Sequence, residues 1–447
     1  MTTTTKEPRG SEKFLLAGRD VPWGKASLAI AANWIWAPAL FVAAQQGYQH
    51  GWVGVFWFTV PNVLCLVLFG FVFKRAREVF PDGVTLSGLA SKQYSSRVQK
   101  VYLGTLAGLA TCSLAVQMVA GGAVLAELTP IPYPVITLAL AVVAVAYSVR
   151  SGLSASLVAK VIGMSLIALL GVGLALTTLG VAGLGTLAEG LTGIGRDMTS
   201  LTSGAGTGVF WAFGLSTSIG LISGPFGDQS FWQIGFSIRS AREARRAFLV
   251  GAGIFALAPL GMSILGFLAA GASLKVDDPQ LTNLTALLHW LPGWVVVPFV
   301  IYIVAGLLST LDSQLCSVSS LVGHDLSKGR APASAVRYGR MAMIFFAVLA
   351  VLIANLPGIA VVQLFIFYGT LRASTLVPTI LAVYLPAERL NEKVTFWSIL
   401  SALVLALPVS AYGNLTGTVP AIVEGSLAVI AISGVPSVIA ALRPPRA

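Results

Sequence analysis

NWIWAPAL, residues 33–40, interrupts an apolar run covering 26–47, with Pro38 at its middle. Proline removes a backbone donor and clashes with the turn before it, so a helix does not pass through such a point unchanged. In hydrocarbon the freed groups are tolerated only where protein satisfies them or where they line a cavity. A second run, 207–226, meets the same problem in GLISGPFGDQ (220–229), where Gly220, Gly224, Pro225 and Gly227 crowd one half. The two interruptions therefore have to be read together.

Further apolar runs at 52–74, 101–127, 132–149, 153–181, 247–273, 293–323, 335–354, 360–385, 394–413 and 419–442 complete a set of twelve. Each approaches the ~20 residues that span the hydrocarbon layer. Of the 447 residues, 56% are hydrophobic and 10% charged. A soluble domain carries about 25% charged residues, so the expected solvent is the lipid bilayer.

The interrupted runs occupy the first position in each of two successive units of five, 26–181 and 207–385, separated by an outer loop at 182–206. Five is odd, so the second unit enters the membrane with opposite polarity. A polar tail (1–25) precedes the units, and two more helices with a short tail (386–447) follow. The predicted architecture is an all-α polytopic protein with a 5+5 inverted repeat, two added helices and broken helices 1 and 6. Matched breaks in inverted repeats point to a midplane transport site.

Loops on one side hold 24 of the 28 Lys and Arg. Positive residues stay on the cytoplasmic side, so both termini are expected there, in a multi-pass protein of the inner cell membrane. The N-terminal stretch has no apolar core ahead of a cleavage site and reads as a tail, not a signal peptide. The +11 charge is thereby a topology signal, and no nucleic-acid partner is expected. Cys65, Cys112 and Cys316 sit in apolar runs without CxxC spacing, which indicates neither disulfide nor metal site. His50, His289 and His324 fall in loops on both faces and cannot converge, and no HExxH motif occurs. No enzyme and no organic cofactor is expected.

In the eighth run, AGLLSTLDSQLCSVSSL (305–321), Ser309, Asp312, Ser313, Cys316, Ser317 and Ser320 share one helical face. Ser309, Thr310 and a carboxylate supply oxygen ligands suited to a hard cation such as sodium. Asp312 is costly inside a membrane unless paired, which makes it a functional candidate. Lys160, in the fifth run, lies at a depth within one helical turn of Asp312. It either snorkels to the interface or pairs with Asp312. Arg372, in the tenth run, has to face the bundle interior, water or a carboxylate. It forms a structural pair or binds an anionic group on a substrate. Trp34, Trp36, Phe56 and Trp57 near the first break suit a flat or cationic molecule.

KFLLAGRDVPW (13–23), GDQSFWQ (227–233) and above all GLLSTLDSQLCSVSSLVGHDL (306–326) resemble the sodium–solute symporter family, which has the LeuT-type fold. The stretch AANWIWAPALFVAAQQGYQHGWVGVFWF (31–58) further resembles its urea and polyamine transporter branch. The resemblance implies a cation site built from carbonyls of Ala31, Trp34 and Gly306 and hydroxyls of Ser309 and Thr310. Lys160, Asp312 and Ser313 lie beside it as the coupling group. It further implies a substrate among Trp36, Ala37, Pro38, Phe56, Thr59, Leu221, Gly224 and Thr370, with Arg372 nearby. Many members begin with an additional helix ahead of the LAGR segment; this chain is expected to lack it. The fifth-helix motif that commonly ends in an acidic residue ends here in Lys160, within SGLSASLVAK (151–160). A cation there repels sodium, and some sodium-independent relatives of the fold use a fifth-helix lysine in its place.

The expected function is secondary active import of a small polar organic solute (urea-like, amine, nucleobase-like or short carboxylate) by a protein working as a monomer. Sodium is the coupling ion by resemblance. The alternatives are proton coupling or sodium independence through Lys160, and, from another class, a channel-like facilitator.

Overall fold

In the computed structural model, residues 10–327, 332–358 and 361–443 are described. Among them, helix accounts for nearly all regular structure; the β geometry is an isolated parallel bridge between Val21 and Ile238. Eleven of the described helices are long and apolar enough to cross a membrane. The twelfth crossing escapes that count because it is broken: helix Trp23–Trp34 has only 12 residues. The chain then restarts in a long helix, Ala37–Val79, that Gly51 divides with a φ of 53°. Residues 37–50 finish crossing 1 and residues 52–79 form crossing 2.

Crossings 3 and 4 are Ser96–Leu128 and Tyr133–Ser151. Crossing 5 starts at Leu153 and continues to Gly190, bending at Gly183 (φ 87°), so helix extends into the stretch expected as outer loop. Crossing 6 runs from Gly204 to Ile222, breaks, and resumes at Gln229–Ser237. Crossings 7 and 8 are Ala241–Gly271 and Val296–Ser320, and crossings 9 and 10 are Pro332–Ala354 and Val361–Tyr384. The eleventh ends with Leu407–Thr416 and the twelfth is Val419–Leu442.

Crossing 7 packs along both halves of crossing 1 and along crossing 2. Crossing 8 packs against crossings 3, 4 and 5. Small residues allow the close approaches: a Cβ at Gly266 would run into the carbonyl of Ala44, and one at Gly171 into the Tyr302 ring.

Both ends of this assembly are tied. On the face bearing the basic loops, Val21 and Ser237 share a backbone hydrogen bond of 3.1 Å, and Arg239 N–H donates to the Val21 carbonyl at 3.3 Å. Arg77 donates to the Phe236 carbonyl at 2.6 Å, and Thr85 and Ser87 both donate to the Asp325 carboxylate. At the opposite face, Trp52 N–H donates to the Leu191 carbonyl and Ile194 N–H to the Tyr48 carbonyl, each at 2.8 Å.

Candidate transport site

Unwinding at crossing 1 is confined to Ile35 (φ −81°, ψ 86°) and Trp36 (φ −107°, ψ 170°), with proline opening the next helix. Two freed carbonyls find partners on crossing 8. Ser309 Oγ donates to the Ala32 carbonyl at 3.2 Å, and Thr310 Oγ1 to the Ile35 carbonyl at 3.1 Å. These carbonyls lie one residue beyond Ala31 and Trp34, the positions that the resemblance implies. Ala31 O instead accepts the Ile35 amide at 2.9 Å. Ser313 Oγ turns back onto the Ser309 carbonyl at 2.8 Å, and Gly306 packs against the Leu40 side chain. Hydroxyls and carbonyls thus form a neutral oxygen cluster of the type a hard monovalent cation accepts.

Crossing 6 opens at Ser223 and again at Asp228, whose backbone is extended (φ −112°, ψ 111°). The Asp228 carboxylate caps the second half-helix, accepting from Ser230 N–H at 3.0 Å and Ser230 Oγ at 2.7 Å. The two breaks face one another. A Cβ on Gly224 would collide with the Trp34 ring, Trp34 meets Phe231 edge-on at 5.2 Å, and Asn33 Nδ2 donates to Ser230 Oγ at 3.0 Å.

Among the described residues, two ion pairs lie inside the bundle. Lys160 Nζ is 2.9 Å from Asp312 Oδ2, and both side chains are fully buried. The ammonium also donates to Ser156, while Asp312 Oδ1 accepts from Ser148 Oγ at 2.8 Å. Crossings 4, 5 and 8 are thereby joined, with Tyr147 adding a 3.0 Å hydrogen bond to the Leu308 carbonyl. Burying a charge is tolerable only with such pairing and hydrogen bonding. The depth match read from the sequence corresponds to this contact; the lysine does not snorkel.

The second pair is Arg372 Nη2 with Asp228 Oδ2, also at 2.9 Å. Gln314 Nε2 on crossing 8 donates to the same carboxylate oxygen at 3.1 Å. The guanidinium sits in an aromatic cage, 4.2 Å from the Tyr368 ring, 5.4 Å from Trp34 and 6.0 Å from Trp36. Asp228, Gln314 and Asn33 were not singled out by the sequence reading. Asp228 stands in the GDQSFWQ segment, but the apolar run ends at 226, so its sequence position reads as a loop.

Trp36 is buried between Phe365 and Tyr368, with centroids at 4.9 and 5.2 Å. Leu221 and Thr59 are buried, and Phe56 leans edge-on against Trp57 at 5.1 Å. Thr370 is not brought to the break: its hydroxyl bonds with Ser426 at 3.0 Å and Ser410 at 3.2 Å on the two added helices. Ala37 and Pro38 begin the restarted helix, and their side chains lie outside the described residues. Several buried polar atoms around the breaks lack a partner: Trp36 Nε1, Asn33 Oδ1, Asn62 Oδ1, Thr59 Oγ1 and Arg372 Nε. Buried polar groups without a partner are uncommon.

Comparison with known proteins agrees with this arrangement. A model of the sodium:solute symporter family matches residues 14–401. The probable urea active transporter 1 of Schizosaccharomyces pombe is 22% identical over 349 residues, covering 72% of this chain and 52% of the relative. The urea-proton symporter DUR3 of Oryza sativa subsp. japonica is 22% identical over 416 residues, covering 82% of this chain and 56% of the relative. The chain thus spans about half the length of these relatives. A Na+-coupled sialic acid symporter, solved substrate-bound and outward-open, superposes with a TM-score of 0.75 at 15% identity, over 97% of this chain and 93% of that one. The nucleobase-cation-symport-1 family transporter MHP1, solved in a closed conformation, gives 0.63 at 14% identity over 97% and 96%. The fold is therefore the LeuT type, and the chain belongs to the sodium:solute symporter family.

Proposed function

We propose that this member of the family is a secondary active importer of a small polar organic solute, working by alternating access in the inner cell membrane with both termini cytoplasmic. The observation that carries the reading is the meeting of the two helix breaks, Trp34 against Gly224 and Phe231, amid buried polar atoms without partners. A solute held there touches both repeats at once, so its binding is coupled to their relative position. The unit of crossings 1, 2, 6 and 7 rocks against the remainder. Its seam with crossing 8 includes hydrogen bonds from Ser309 and Thr310 to crossing 1 carbonyls, from Gln314 to Asp228 and from Gln229 to Ser320; the neutral bonds among them exchange for others at modest net cost. Urea-like, amine, nucleobase-like and short carboxylate solutes are the classes considered, and a monomer suffices for the mechanism.

For the coupling ion there are two readings. Family membership favours sodium, held by the Ser309 and Thr310 hydroxyls and the crossing 1 carbonyls. The Lys160–Asp312 pair favours the second: an amine bonded to the stripe beside those oxygens stands where a sodium-coupled carrier keeps an acidic group, which makes the carrier proton-coupled or independent of sodium. Uptake by purified protein in liposomes, under a sodium gradient, a pH gradient or neither, decides between them. Sodium-driven uptake indifferent to Lys160→Ala rejects the lysine reading. Non-saturating uptake insensitive to both gradients rejects the carrier in favour of a facilitator.

A further inference from the structure

Crossing 5 turns one face to the Lys160–Asp312 pair and the opposite face to the bilayer: Lys160 is fully buried, whereas Val158 is 59% exposed and Ile162 57%. That outer face, through Leu157, Val158 and Ile162, forms one wall of a groove of about 340 Å³. The other wall is the chain entering crossing 1, through Asp20, Pro22 and Lys25. The deep end of the groove is apolar, and the end at the basic loops carries charge. There Asp20 is paired with Arg239 at 2.7 Å. Arg246 lies 3.8 Å over the Trp23 ring, and Glu243, one turn before it, accepts from Trp23 N–H at 3.2 Å. Two carboxylates are thus set against three cations. Lys25, exposed and without an ion-pair partner among the described residues, is the cation left over.

We infer that this groove is a binding site for an anionic phospholipid, with the phosphate on Lys25 and an acyl chain along Leu157, Val158 and Ile162. A soluble anion matches the lysine but leaves the apolar wall bare. A neutral lipid covers the wall but gives the lysine no counter-charge. A molecule with both a phosphate and a chain satisfies the two ends at once, and basic pockets between membrane helices hold anionic headgroups in this manner. The two walls also belong to different bodies. The first half of crossing 1 packs directly on crossing 5, and under the import reading the former rocks while the latter stays. A lipid fastened to both holds them together. It shifts the equilibrium by its differential affinity for the two arrangements, in favour of the one in which crossings 1 and 5 remain close.

The purified full chain in neutral detergent is titrated with dioleoylphosphatidylglycerol, dioleoylphosphatidylcholine or glycerol 3-phosphate, and binding is read by native mass spectrometry. Wild type is expected to hold one phosphatidylglycerol about fivefold more tightly than phosphatidylcholine, the gain of one lysine at an anionic headgroup. Glycerol 3-phosphate should not compete. Lys25→Gln should abolish the preference, and Val158→Trp, which fills the groove from the crossing 5 wall, should weaken both lipids. Lys25 and Val158 are exposed, so neither variant disturbs the core. Lys393→Gln, at an exposed lysine beside crossing 11, should change nothing. Amide hydrogen exchange over residues 23–34 should slow when phosphatidylglycerol is added to wild type, and not in Lys25→Gln. Equal affinity for the two lipids, displacement by glycerol 3-phosphate, or a Val158→Trp protein that binds as wild type overturns the inference. So does an equal loss in Lys25→Gln and Lys393→Gln, the mark of diffuse charge, and so does unaltered exchange over 23–34. Binding is read without transport, so a chain that holds the lipid yet accumulates no solute in liposomes sinks the import reading alone.

Discussion

Replacing Lys160 with alanine leaves Asp312 as a carboxylate at zero exposure with one strong hydrogen bond, from Ser148 at 2.8 Å, and the weak Cys316 thiol at 3.7 Å. Removing one partner of a buried ion pair costs about 3–5 kcal/mol, because the remaining charge is uncompensated. The Ser148 hydroxyl, whose single proton is shared with the Ala144 carbonyl at 2.7 Å, offsets little of this, so the expected loss stays at about 3–5 kcal/mol. Removing both charges, as in Lys160→Met with Asp312→Asn, is expected to return most of that stability. The single variant should also acquire a new dependence on sodium. Asp312 lies three residues along the helix from Ser309, so the freed carboxylate faces the same side as the oxygen cluster. A site binding sodium at about 1 mM, in 100 mM salt, stabilises the folded chain by about 2.7 kcal/mol. Thermal unfolding in detergent, in sodium chloride against potassium chloride, reads both effects. Wild type should show little difference between the salts, Lys160→Ala a marked one, and the double variant little. If Lys160→Ala unfolds with wild type in both salts, or the double variant is no better than the single, the pair is not the internal counter-charge argued here.

Three shorter predictions follow from the same geometry. Gly224→Ala should cost about 1–3 kcal/mol by overpacking against Trp34, whereas Gly253→Ala, with open space around its Cβ, should be neutral or slightly stabilising; thermal shifts compare the two. Trp36→Phe removes the Nε1 donor and part of a ring buried between Phe365 and Tyr368, so the cavity should lower the unfolding temperature and solute affinity should fall about tenfold, the effect of about 1.4 kcal/mol; binding measured well below the unfolding temperature separates the two. A fluorescent protein fused to the C-terminus should mature and an alkaline phosphatase fused there should stay inactive, and the opposite result would place that terminus outside.

The membrane class and the broken helices were legible because their signals are coarse: composition, run length, and helix-breaking residues in equivalent places. The Lys160–Asp312 contact was legible too, since depth along a helix can be counted and few ionisable residues occur at that depth. Other features depend on rotation, which an apolar helix hides. Crossing 10 is hydrophobic on most faces, so nothing in its sequence shows that Thr370 turns toward Ser410 and Ser426 while Arg372, two residues on, turns toward Asp228. Register within an unwound segment is equally hidden, and Ser309 and Thr310 accordingly reach Ala32 and Ile35. Asp228 is not legible because hydropathy ends a span at the first polar cluster, although here the chain is still inside the protein.

The placement of Asp228 on crossing 6 and Arg372 on crossing 10 has an electrical consequence. One full charge carried through the whole potential drop is worth about 2.3 kcal/mol per 100 mV. A stroke in which helix 6 swings and helix 10 stays behind displaces the carboxylate through some fraction of that drop. Under the rocking proposed above, even an uncharged solute would be carried by a voltage-sensitive protein, because the moving charge belongs to the helix and not to the cargo.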